Sequence, residues 1–168
     1  MTSIAKPLQW AAARAALITV PVILGLGFLM GQLSNSGYGN DWFDRLVKPD
    51  LMPPGWAFGV AWSILYVLLG IVLAIIWVAP RSKARSAALT LFFAQMALNF
   101  SWSPIFFGAH QAGLALAVIA AMLLLSIVAT RSIGRVSRAA AWMMVPYLAW
   151  LSFATYLNLE IVQLNPAA

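Results

Sequence analysis

The chain has 168 residues, 63% of them hydrophobic and 8% charged, with a formal net charge of +6 and no Cys. A soluble domain carries about a quarter charged residues, so ten basic and four acidic side chains are too few to clothe a water-soluble globule. The composition excludes an ordinary cytosolic enzyme and a disordered tail. It also excludes a nucleic-acid binder, because the basic residues lie in short clusters between apolar runs, and it excludes disulfides and thiolate chemistry.

A membrane-crossing helix needs about 20 predominantly apolar residues, and five such runs follow one another: 10–33, 57–79, 86–107, 112–130 and 139–161. The first carries only Arg14 near its start. It is too long for a signal peptide, lacks a small-residue cleavage site and is followed by four more runs. The middle three hold no charge, and Glu160 lies at the far end of the fifth. None shows the period-two alternation of a barrel strand. In lipid each backbone polar group is satisfied within its own element, so the expected fold is all-α, a single domain over 1–168 with five transmembrane helices. Pro21, Pro104 and Pro146 fall inside runs and are expected to kink or open them. Gly27-x-x-x-Gly31 and the small-residue stripe Ser86, Thr90, Ala94 allow close helix approach, within one bundle or between two.

Between the first and second runs, residues 34–55 are too long for a simple link and too rich in Gly and Pro for one continuous helix. Tyr38, Trp42, Phe43, Leu46, Leu51 and Met52 give this loop an apolar side. It is expected either to fold back as a lid or to lie at the membrane interface, anchored by Trp42.

Charge sets the orientation. Lys6, Arg14, Arg81, Lys83, Arg85, Arg131, Arg135 and Arg138 fall on one side; only Arg45 and Lys48 fall on the other, with all four acids. The positive-inside rule then places the N-terminus in the cytoplasm and the C-terminus outward.

Eight Trp need explaining. Trp10, Trp42, Trp77 and Trp142 lie near run ends, where an aromatic belt accounts for them. Trp62, Trp102 and Trp150 lie within runs, and a buried indole N–H wants a partner. Helical spacing groups them with polar residues: Trp62 with Tyr66, then Gln95, Asn99, Trp102 and Phe106, then Tyr147, Trp150, Ala154 and Asn158. Polar side chains in lipid face the bundle interior. At about 1.5 Å per residue, Trp62, Asn99 and Trp150 all lie in the outward half, beneath the loop. Two readings remain: a ligand pocket lined by these stripes, or interhelical hydrogen bonds and aromatic packing. No carboxylate pair, metal-ligand cluster or activated nucleophile is present. His110, the single His, reads as a solvated turn residue.

One combination of segments is more specific. Trp42-Phe43 is followed by Lys48-Pro49, Pro53-Pro54-Gly55-Trp56-Ala57-Phe58, Trp62 and Leu65-Tyr66. After these come Asn99-x-x-Trp102-x-Pro104-x-Phe106-Phe107 and Pro146-Tyr147-Leu148-Ala149-Trp150, leading to Leu157-Asn158. In this order they resemble the TspO family, the tryptophan-rich sensory proteins that include the translocator or peripheral benzodiazepine receptor proteins. The resemblance, closest to the bacterial type, implies a five-helix bundle, usually dimeric through its third helix, with a cavity closed by the first loop. It implies binding of porphyrins such as protoporphyrin IX, and of isoquinoline carboxamide and benzodiazepine compounds, with no required cofactor.

Carried over by position, the ligand-binding residues would be Phe43, Pro53, Trp62, Tyr66, Asn99, Trp102, Trp150 and Ala154. The function implied is a porphyrin sensor or regulator in a bacterial cell membrane. The alternatives are a porphyrin transporter, or light-dependent porphyrin breakdown in which Trp62 and Trp150 would be the reactive pair. Phe43 stands where many members have Tyr. The sterol motif of the animal proteins is missing from 157–165, which lack Tyr, Lys and Arg. With Lys48 and loop N–H groups at the rim, ligand carboxylates are expected to be held there.

Overall fold

The computed structural model describes residues 6–166. The side chains of Lys6 and Pro7 lie outside the description, so the contribution of Lys6 to the charge balance is not addressed by it.

Among the described residues there are helices and no strands. The segments are α1 (Lys6–Leu33), α2 (Asp41–Arg45), α3 (Gly55–Val78), α4 (Lys83–Ser103), α5 (Ala112–Gly134), α6 (Arg138–Met143) and α7 (Val145–Leu164), with a π-helical turn over Pro104–Gly108. Helices fall on all five expected runs. Among the described residues, four stretches are long and apolar enough to cross a membrane: Leu8–Leu33, Gly55–Val78, Ala112–Gly134 and Arg138–Leu164. The exception is α4, which opens on Lys83 and Arg85 and carries Gln95 and Asn99 in its body. Gln95 and Asn99 lower its hydropathy, and both amides are buried in the interior of the bundle.

The prolines act differently from one another. Pro21 leaves α1 unbroken. Pro104 opens the π turn, in which the Ala109 N–H donates to the Pro104 carbonyl at 2.8 Å. Pro146 sits in the first turn of α7, just past the break at Met144, so the fifth run is two helical pieces. That position suits proline, whose missing N–H has no helical partner there anyway.

Helices in lipid gain nothing from hiding apolar surface from water, so close packing and interhelical hydrogen bonds hold them together. The tightest approach joins α1 to α3. A Cβ on Gly70 would lie 2.5 Å from the Val20 Cα, and the Thr19 hydroxyl donates to the Gly70 carbonyl at 2.7 Å. The Gly27-Gly31 spacing is used at one end only: Gly27 makes room for the Tyr66 ring, whereas a Cβ on Gly31 would meet nothing nearer than the Ser36 side chain at 4.0 Å. Ser86, Thr90 and Ala94 lie on an exposed face of α4.

Away from the 34–54 loop the bundle is closely filled. Val72, Ile76, Ala88, Phe92, Ala129, Ile133 and Ala140 are fully buried and belong to one cluster. Trp10, Trp77 and Trp142 are exposed at helix ends, as the aromatic-belt reading expects.

Candidate functional site

The opposite end of the bundle is built differently. Trp62 and Tyr66, one turn apart on α3, stack at 5.1 Å between ring centroids. The Trp150 ring meets Trp62 edge-on at 6.4 Å and Phe58 at 5.8 Å. Edge-to-face contact brings the positive rim of one ring onto the negative face of the next. It also props the rings apart, which leaves space.

Behind these rings runs a buried polar chain. The Tyr66 hydroxyl donates to Asn99 Oδ1 at 3.1 Å, Asn99 Nδ2 donates to the Tyr147 hydroxyl at 3.1 Å, and that hydroxyl donates to Gln95 Oε1 at 2.7 Å. A second link joins α4 to α7 and α5: Trp102 Nε1 donates to Asn158 Oδ1 at 3.1 Å, and Asn158 Nδ2 to the Ala112 carbonyl at 3.0 Å. Both sequence readings of these polar residues therefore have a counterpart here. The amides join helices, and Asn99 and Asn158 also face a cavity.

The 34–54 loop is folded onto this end. Gly37 and Gly39 hold φ of +104° and +93°, a region open to glycine without steric cost. Asn40 caps α2, its side-chain oxygen accepting from the Trp42 and Phe43 N–H groups, while its Nδ2 reaches the Phe107 carbonyl at 3.4 Å. Phe43 packs edge-on against Phe107 and Phe106, at 5.2 and 6.2 Å. Beyond α2, the Asn165 amide accepts from the Val47 N–H and donates to the Val47 carbonyl, both at 2.9 Å. The loop is thus tied to the π turn at one point and to the end of α7 at another.

A cavity of about 470 Å³ lies between loop and bundle. Phe43, Trp62, Tyr66, Asn99, Trp102, Trp150 and Ala154 all line it. Pro53 does not: its carbonyl accepts from the Tyr38 hydroxyl at 3.3 Å, and the adjacent Met52 lines the cavity instead. A second correction concerns Lys48. Its ammonium donates to the carbonyls of Phe43, Asp44 and Leu46 at 2.8, 3.2 and 3.2 Å and lies 4.7 Å from the Phe43 ring centroid. All three of its N–H donors are engaged in capping α2, so it does not offer a free cation at the rim.

Sequence reasoning missed Phe58 and the α1 wall of Gly27, Phe28, Gly31 and Gln32, whereas Tyr38, read on the apolar side of the loop, lines the cavity. Aromatic spacing from Trp62 would have found Phe58, which is four residues earlier. Two of the four α1 wall residues are glycines, and only their spacing hinted at the wall.

One polar group in the wall has no partner. Trp150 Nε1 is buried and makes no hydrogen bond. A buried donor left unpaired costs about 1–3 kcal/mol, and here it belongs to a ring that borders an open space. No group of three or more metal-ligating His, Asp or Glu side chains exists among the described residues. His110 is exposed in a turn, stacked on Trp42 at 4.8 Å.

These features define a helical integral membrane protein with an aromatic, partly polar interior cavity. The family model for TspO/MBR matches residues 17–164, and the chain belongs to that family. It is 36% identical over 126 residues to the tryptophan-rich protein TspO of Chlorobaculum tepidum, an overlap of 74% of this chain and 80% of that protein. With the human translocator protein it shares 38% identity over 135 residues, 79% of this chain and 80% of the relative. The tryptophan-rich sensory protein of Cereibacter sphaeroides is 38% identical over 126 residues, 75% and 78% of the two chains.

Proposed function

We propose that the chain is a membrane-embedded binding protein for flat amphiphilic aromatics of the porphyrin class, acting as a sensor or regulator in tetrapyrrole metabolism or stress. The lining of the cavity beneath the loop carries the reading: the rings of Phe43, Trp62, Trp102 and Trp150 surround it, with the side chains of Tyr66, Asn99 and Asn158 among them. A volume of about 470 Å³ falls within the range of small-molecule sites, and aromatic walls with a few directed polar groups are their usual lining. Phe43, Trp62 and Trp150 offer ring faces and edges, and Tyr66, Asn99 and Trp102 stand nearby. Isoquinoline carboxamide and benzodiazepine compounds would use the same space. No cofactor is required in this reading.

In the same proposal α4 crosses the membrane with the other four long helices, its Gln95 and Asn99 turned inward. The N-terminus lies in the cytoplasm of a bacterial cell, and the 34–54 loop is the outward lid. The exposed Ser86-Thr90-Ala94 face of α4 meets its counterpart in a homodimer.

The test is a titration of the protein in nanodiscs with protoporphyrin IX, followed by Trp fluorescence. The reading expects saturable quenching that Trp150→Phe weakens about tenfold or less, the worth of one aromatic contact, and that Trp10→Phe leaves unchanged. Linear quenching equal in all three proteins would sink it. A second reading, photo-oxidation of porphyrin by dioxygen, draws on the Trp62–Trp150 contact. It expects a new product under light and oxygen that Trp150→Phe abolishes.

A further inference from the structure

The polar chain behind the cavity ends on Gln95, which is fully buried and is not part of the cavity lining. The chain has a single direction: Tyr66 donates to Asn99, Asn99 to Tyr147, and Tyr147 to Gln95 Oε1. Ser126 donates to the same oxygen at 3.3 Å. A hydroxyl has one hydrogen, and an amide oxygen only accepts, so the direction of each link dictates the next. Gln95 offers its carbonyl oxygen, and the Tyr147 hydrogen therefore points away from Asn99. Asn99 then gives an N–H to Tyr147 and its oxygen to Tyr66. With its hydrogen spent, Tyr66 presents only lone pairs to the cavity. The chain's unmatched donor is Gln95 Nε2, buried without a partner at the far end.

We infer that Gln95 is a remote specificity determinant of the cavity. By setting the donor direction along Gln95–Tyr147–Asn99–Tyr66, it makes the site complementary to a planar aromatic that donates an N–H or O–H at Tyr66. This inference rests on the ligand-binding reading of the cavity.

Removing the acceptors at the buried end reverses the chain. In Gln95→Leu/Ser126→Ala, the Tyr147 hydrogen turns to Asn99. The Asn99 amide rotates to place Oδ1 toward Tyr147 and Nδ2 toward Tyr66, and the Tyr66 hydrogen is released into the cavity. Adding Tyr147→Phe removes the hydroxyl that drives the reversal and restores the original direction. A residue that only packs the interior would not be rescued by a further deletion.

Two readouts test this. In ligand-free protein, the Raman Fermi doublet of Tyr66, isolated by subtracting the spectrum of Tyr66→Phe, distinguishes a donating phenol from an accepting one. The expected pattern is donor in the unmodified chain, acceptor in the double variant and donor again in the triple variant. Alongside, carbazole (one N–H donor) and fluorenone (one carbonyl acceptor) serve as tricyclic probes of similar shape. The double variant shifts the preference toward fluorenone about tenfold, and the triple variant reverts. An unchanged Tyr66 signature, or a shift that the triple variant fails to reverse, overturns the inference whatever the probes do. A shifting signature with neither probe binding saturably overturns the cavity reading and leaves control of Tyr66 by Gln95 standing.

Discussion

The two ends of the bundle solve opposite problems with the same helices. Around Gly70 the helix backbones come close enough that a single methyl has no room, and the neighbouring interior is apolar and fully buried. Around Trp62 and Trp150 the rings meet at steep angles, leave a cavity between them and keep a buried N–H unpaired. In lipid, stability comes from contacts between atoms, so the closed end supplies the stability that the open end forgoes. Substitutions should therefore separate cleanly into those that unfold the protein and those that change only what it binds.

The largest effect is expected at the closed end. Gly70→Ala puts a Cβ against the backbone of Val20, which no side-chain rotation can relieve. It should cost about 3 kcal/mol, the upper range for overpacking, read as a lower thermal midpoint in detergent. Little change there would mean that α1 is held elsewhere.

Gly27→Ala sharpens the contrast. Its Cβ would collide with the Tyr66 ring, a side chain at the cavity, and displacing that ring disturbs the bond to Asn99. Porphyrin affinity should fall about tenfold while the thermal midpoint falls less than in Gly70→Ala. A larger loss of stability than of affinity would erase the distinction between the two ends.

Asn165→Ala removes both hydrogen bonds to Val47. These are solvent-exposed, so the cost should be about 1 kcal/mol or less. If the 34–54 loop is the lid, ligand dissociation should quicken severalfold with little change in association, measured by stopped-flow fluorescence. An unaltered off-rate would show that the loop does not govern escape. Trp142→Phe, at an exposed helix end, should change stability by less than about 0.5 kcal/mol and binding not at all.

Most of this arrangement was legible because helical geometry is periodic. Trp62 with Tyr66, and Asn99 with Trp102, follow from spacings of four and three, and polarity in lipid points inward. What spacing does not encode stayed hidden. The Asn165–Val47 contact joins residues 118 apart in the chain, and no local pattern announces it. Lys48 looked like a free cation because its three carbonyl partners are created only when α2 forms. Pro53 shows the limit of carrying a role across by position: one residue decides whether a side chain faces the cavity. The Gly27 wall could not be read from its own chemistry, since its contribution is space for a ring on another helix.

The central claim is that a porphyrin lies inside the bundle, between Trp62, Trp150 and Phe43. Crystals grown with zinc protoporphyrin IX test it most directly, because the anomalous signal of zinc locates the macrocycle centre without reference to any side chain. The account predicts a single peak within the cavity, with the macrocycle against the Trp62 and Trp150 rings. A peak on the lipid-facing surface, with the cavity unchanged, would contradict it.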